Sequence, residues 1–160
     1  MRIGVVSDTH NRLPNVRRIV TLLNAARVEQ VIHTGDITQA RTLHALAGLE
    51  APLSGVLGNN DEREPLLEAA RAHGFELHDG PLELRLASRR IVVVHDPRDL
   101  ATARRPEHDV ALHGHDHRLT VDHTGGRLVF NPGECAGHME GHNAIGVVDL
   151  VTLEIELLRF

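Results

Sequence analysis

The first half of the chain repeats one arrangement three times. A short apolar run ends in a polar cluster, and an amphipathic stretch follows it. Arg2–Ser7 (RIGVVS) runs into Asp8-Thr9-His10, Gln30–Thr34 (QVIHT) into Gly35-Asp36, and Leu53–Leu57 (LSGVL) into Gly58-Asn59-Asn60-Asp61. Apolar runs this short, rich in β-branched residues, read as buried strands. Between them, residues 14–27 carry apolar side chains at Val16, Ile19, Val20, Leu23 and Ala26, a helical stripe with Pro14 tolerated in its first turn. Gln39–Ala47 and Asp61–Ala72 read as two further helices, the latter with an acidic start that the free amides of a helix N-terminus favour. Strand and helix alternating in this way imply a parallel sheet with crossover helices.

The second half changes character. Leu82–Leu86 and Arg90–Val94 read as strands about an Ala-Ser-Arg turn, with a short helix near Arg98–Arg104. Asp109–His113 is the next strand, and Leu119–Asp122 with Arg127–Asn131 predict a hairpin about Thr124-Gly125-Gly126. Ala144–Leu150 and Leu153–Leu158 form a final pair. The expected fold is therefore α/β, two packed mixed β-sheets flanked by helices. A length of 160 residues predicts one domain over residues 1–160, large enough to bury a real core.

Chemistry-bearing residues recur just beyond the strands. To the three clusters above, Arg90–Val94 adds His95-Asp96, and Asp109–Leu112 adds His113-Gly114-His115-Asp116-His117. In open sheets, ligands collect outside the carboxyl ends of the strands. Asp supplies a hard anionic oxygen, His a borderline nitrogen and Asn a neutral oxygen, a set suited to divalent metal. Asp8, His10, Asp36, Asn59, His95, His115 and His117 are too many for one ion, and a carboxylate between two ions can bridge them. Most of these clusters are weak alone, since Asp-Thr caps helices and Gly-Asn marks turns, while Gly114-His115-Asp116-His117 is more specific.

Composition narrows the alternatives. With 17 basic and 22 acidic residues, the net charge is −5, which argues against an extended nucleic-acid surface. Three Phe and no Tyr or Trp offer no stacking platform for single strands. No run approaches the ~18 apolar residues of a membrane span. The start MRIGVVSD lacks the apolar run of a signal peptide, so the cytoplasm is the expected compartment. Cys135 is the single cysteine and reads as a buried thiol rather than a nucleophile.

Taken in order, Asp8-Thr9-His10, Gly35-Asp36, Gly58-Asn59-Asn60-Asp61, His95 and Gly114-His115-Asp116-His117 resemble the calcineurin-like metallophosphoesterase family, in its small bacterial and archaeal phosphodiesterase branch. Asn131-Pro132-Gly133-Glu134-Cys135 resembles a late loop of that branch. The resemblance implies that Asp8, His10, Asp36 and His117 hold one metal, and Asp36, Asn59, His95 and His115 the other, with Asp36 bridging. It implies manganese, with nickel, iron or zinc as alternatives. The implied activity is hydrolysis of a small phosphodiester by a hydroxide bridging the ions, attacking phosphorus in line. A phosphomonoesterase and a non-catalytic metal-binding scaffold are the competing readings. Small members of the family often associate, so a homodimer or homotetramer is expected.

Two departures bear on the chemistry. Many family members place a histidine where this chain has Asn60, and Asn can donate a hydrogen bond but cannot act as a general acid near neutral pH. Val94 precedes His95 where the family often has glycine. Asn60 and Asp61 are the expected catalytic neighbours. Asp61 reads either as a residue orienting a ligand or as a cap on the third helix, and Asp96 as a cap on the helix after it. His33 is expected behind the metals, while His138 and His142 read as surface histidines.

Overall fold

Alternation along the first strand decides how the layers stack. In the computed structural model, which describes residues 1–138 and 141–160, β1 (Arg2–Val6) turns Ile3 and Val5 into a core shared with Ile91, Leu112 and Phe130. Val6 points the other way, into a core shared with Val16, Ile19 and Leu23. This period of two sends successive side chains to opposite faces. One core lies between two sheets, and the other lies between a sheet and its helices.

The first sheet has six strands. β1 is followed by α1 (Leu13–Ala26), β2 (Gln30–His33) by α2 (Ala40–Leu46), and β3 (Leu53–Val56) by α3 (Arg63–His73). These strands pair in parallel, and β4 (Glu76–His78) extends the sheet in parallel beyond β3. β10 (Ala144–Asp149) and β11 (Ile155–Arg159) return to the other side of β1 and run antiparallel, giving the order β11-β10-β1-β2-β3-β4.

The second sheet has five strands, β5 (Leu82–Leu86), β6 (Arg89–Val93), β7 (Val110–Leu112), β8 (Leu119–Thr124) and β9 (Arg127–Pro132), in the order β5-β6-β7-β9-β8. Its middle pairs are parallel and its two hairpins antiparallel. A 3₁₀ turn at Pro97–Asp99 and α4 (Leu100–Ala103) link β6 to β7. The two sheets approach closely where Gly146 of β10 faces the Phe130 ring, because a Cβ at that position would collide with the ring.

The expected α/β architecture of two mixed sheets with flanking helices is what the chain forms. Boundaries shift by one or two residues, and β4 was not predicted. The third helix starts at Arg63 rather than Asp61, because Asp61 turns away to other partners described below. No helix among the described residues is long and apolar enough to cross a membrane.

Candidate metal centre

The carboxyl ends of β1, β2, β3, β6 and β7 open toward one another across the two sheets. The loops beyond them bring together all seven residues singled out as ligands. Their donor atoms fall into two groups that share Asp36.

In the first group, the Nε2 atoms of His10 and His117 face each other at 3.3 Å. His117 Nε2 lies 3.4 Å from Asp8 Oδ1, and His10 Nε2 lies 3.5 Å from Asp36 Oδ2. Ligands about 2.1 Å from one ion sit roughly 3.0–3.4 Å apart in tetrahedral or octahedral geometry, so this spacing suits a cation at the centre. Asp8 is fully buried, yet its Oδ1 accepts no hydrogen bond from the described residues. An ionised oxygen left without a partner in the interior is costly, and a metal ion would satisfy it. Burial pushes the Asp8 carboxyl up, against the hydrogen bond from Ser7, and burial pushes His10 down toward the neutral form that ligates.

In the second group, His95 Nε2 lies 3.0 Å from Asn59 Oδ1 and 3.4 Å from Asp36 Oδ1. His115 Nδ1 lies 2.9 Å from the same Asn59 oxygen. His95 Nδ1 is within 2.8 Å of the Thr34 carbonyl, to which it donates, leaving the Nε2 lone pair aimed at the group. Asp36 thus turns Oδ2 to the first group and Oδ1 to the second. Burial would raise its carboxyl, but the His95 imidazole beside it and the two hydrogen bonds from Asn60 hold it well below the usual carboxylate range.

The backbone around these groups is unusual. Asp8, His10, Asp36, His115 and His117 all have positive φ, at 51°, 40°, 57°, 73° and 55°. Left-handed geometry costs a non-glycine residue about 1–2 kcal/mol and persists only where neighbours over-determine it. Here the fixing bonds are specific. Asp8 N donates to Gly35 O, His10 N to Asp36 O, and His115 N to Asp8 Oδ2. Gly58 passes so close to Asp36 that a Cβ there would strike its carboxylate and amide.

Neighbouring residues support these contacts. Asn60 donates twice to Asp36, from its backbone N to Oδ1 at 2.9 Å and from Nδ2 to Oδ2 at 2.8 Å. Asp61 accepts from Gly58 N at 2.7 Å and from Thr38 N. It therefore clamps the Asn59 loop to the Asp36 loop and does not cap α3, whose N-cap is Glu62. Burial pushes the Asp61 carboxyl up to about 6. Asp96 caps the 3₁₀ turn through Arg98 N, as expected, and its Oδ2 also lies 3.7 Å from His115 Nε2. His33 is fully buried behind the groups. It accepts from Gly35 N through Nδ1 and meets Thr9 Oγ1 through Nε2. Cys135 is buried, and desolvation pushes its thiol up to about 12, as suits a packing residue.

Two neighbours were not anticipated. The buried Glu134 accepts from His117 Nδ1 at 3.2 Å, a carboxylate behind the imidazole that orients its Nε2. Nothing in local spacing indicates that the loop after Asn131-Pro132-Gly133 folds back to His117. The second is His138, read as a surface residue, whose ring stacks against His117. Beside the second group opens a cavity of about 750 Å³, lined by Asn59, His95 and His115 on one side and by Pro81, Val94 and Ala103 on another.

Known proteins place this arrangement. Residues 1–153 match the calcineurin-like phosphoesterase superfamily domain. The chain is 32% identical to phosphodiesterase MJ0936 of Methanocaldococcus jannaschii over 154 residues, 93% of each protein. Its fold superimposes on a structurally and functionally characterised archaeal phosphodiesterase with a TM-score of 0.90, 30% identity and complete coverage of both chains. Similarity to the E. coli phosphoesterase Yfce, with a TM-score of 0.73, 19% identity and coverage of 99% and 98%, is one of fold alone. Two clusters of metal-ligating side chains, His10 with His117 and His138, and Asp8 with Asp36 and His95, accord with these matches: the chain belongs to the calcineurin-like phosphoesterase superfamily and is a metal-dependent phosphoesterase.

Proposed function

We propose that the protein is a phosphodiesterase with a dinuclear centre. Asp8, His10, Asp36 and His117 hold one divalent ion, and Asp36, Asn59, His95 and His115 hold the other. Manganese is the first candidate, with nickel, iron and zinc as alternatives. The observation that carries this reading is Asp36, whose two oxygens face opposite donor groups. The relatives named as phosphodiesterases support the same direction.

Two ions bound there would supply Lewis acidity to a phosphoryl oxygen and make a water molecule more acidic. The chain's own residues do the rest. Asn60 holds both Asp36 oxygens in place, and Glu134 and the Thr34 carbonyl orient the imidazoles of His117 and His95. The cavity beside Asn59, His95 and His115 offers room for the organic part of an ester. With its amide engaged on Asp36, Asn60 cannot protonate a departing oxygen. This favours diesters whose leaving group needs little protonation over poor monoester leaving groups.

The test is hydrolysis of bis(p-nitrophenyl) phosphate by metal-stripped protein with Mn, Ni, Zn, Fe or Mg returned singly, against p-nitrophenyl phosphate. Metal-restored turnover, faster on the diester and lost in Asp36→Asn, is the expected result. Faster turnover of the monoester would reverse the preference. Two bound ions with no turnover of either ester would favour a binding role.

A further inference from the structure

We infer that His138 is a third imidazole ligand of the first ion, an addition to the four residues named for that position. The inference rests on the dinuclear centre proposed above. The loop after β9 carries His138 to a place where its ligating nitrogen and those of His10 and His117 all lie within 4.8 Å of one another. Its ring stacks on His117, with centroids 5.4 Å apart and an interplanar angle of 29°, and meets His10 edge-on at 5.8 Å. The residue is exposed, so burial of its own surface does not bring it there. Three imidazoles crowded together gain little from one another, whereas a cation between them would take up a ring nitrogen lone pair from each.

The path of the loop gives the placement its precision. Cys135 N donates to the Asp8 carbonyl, Asn15 Nδ2 donates to the Cys135 carbonyl at 2.8 Å, and Glu134 receives His117 Nδ1. The segment is thus tied to the two loops carrying Asp8 and His117, three residues before His138 itself. With His138 included, the first position has three nitrogens and two carboxylates. The second has two nitrogens, the other Asp36 oxygen and a neutral amide oxygen. Nitrogen-rich sites favour the later first-row ions, so the first position should prefer zinc or nickel to manganese more strongly than the second.

Titration of metal-free protein with Co²⁺, followed by heat and by visible absorption, tests this without recourse to turnover. Wild type takes up two ions. In His138→Ala, one of the two binds at least about tenfold more weakly, the least expected for a ligand when support residues alone cost 10–100-fold. The absorption of that ion changes, while the second ion is unaffected. His123→Ala, an exposed histidine on β8, leaves both unchanged, and thermal melting of the metal-free variants checks that each is folded. Wild type and His138→Ala with two equal ions of unchanged spectrum would overturn the role of His138 and leave the dinuclear centre standing. Wild type that takes up no metal would overturn both.

Discussion

The two sheets bring different chemistry to the same place. The six-stranded sheet supplies Asp8 and Asp36, which are 0% and 2% exposed, together with His10 beyond β1 and the Asn59 amide beyond β3. Among the seven candidate ligands, the five-stranded sheet supplies only imidazoles, and its His115 and His117 side chains are 35% and 29% exposed. Both carboxylates are therefore sunk into the interior beside the buried His95, while the His115 and His117 imidazoles stand at the rim. Buried carboxylates are expensive without a cation, whereas a half-exposed imidazole can turn to water. The deep side should dominate ion retention, and the rim should adjust it.

Paired substitutions can break that contrast. Asp8→Asn or Asp36→Asn should lower metal-dependent hydrolysis by more than about 100-fold, beyond the usual cost of losing a support residue, while His115→Ala should cost only about tenfold. Steady-state rates at saturating metal decide it, and an equal or larger loss from His115→Ala would defeat the contrast. A sharper probe lies behind the rim. Glu134→Gln removes the charge that holds His117, and affinity for one ion should fall by about 10–100-fold, read by competition with a chelator. No change in affinity would mean that His117 needs no such support.

A separate effect, on stability rather than activity, concerns His33, a histidine of the six-stranded sheet that is not among the candidate ligands. Burial pushes it down to about 3, below its ordinary 6.5. The unfolded chain therefore takes up a proton first on acidification. Stability is fully present above about pH 6.5 and is lost as pH falls toward 3. Urea unfolding of metal-free protein at several pH values should show wild type losing up to about 1.4 kcal/mol per pH unit more than His33→Asn over that window. Parallel pH profiles would show that His33 titrates alike in both states.

Much of this arrangement is legible in the chain because it depends on local pattern. The runs ending at Ser7, Thr34 and Leu57 alternate with a helical stripe, and their polar termini fall at one edge once the strands are parallel. What stayed hidden depends on distant pairing. β4 is three residues, Glu-Leu-His, too short to carry a period of its own, and it pairs with β3. The return of β10 to lie against β1 rather than in the second sheet is a matter of register over most of the chain's length. Asp61 offers the same acidic signal as a helix cap, and the amides of Gly58 and of the distant Thr38 draw it away. Glu134 and His138 depend on a loop whose path is set by Asn15 and Asp8, far away in sequence.

The unpartnered oxygen of Asp8 ties the fold to its surroundings. Under the proposed centre, a cation that binds the folded chain and not the unfolded one adds stability in proportion to the logarithm of its free concentration, about 2.7 kcal/mol at 100 times its dissociation constant. The melting temperature then becomes a gauge of available metal. Under that centre, scarce metal would leave the chain less stable as well as less active.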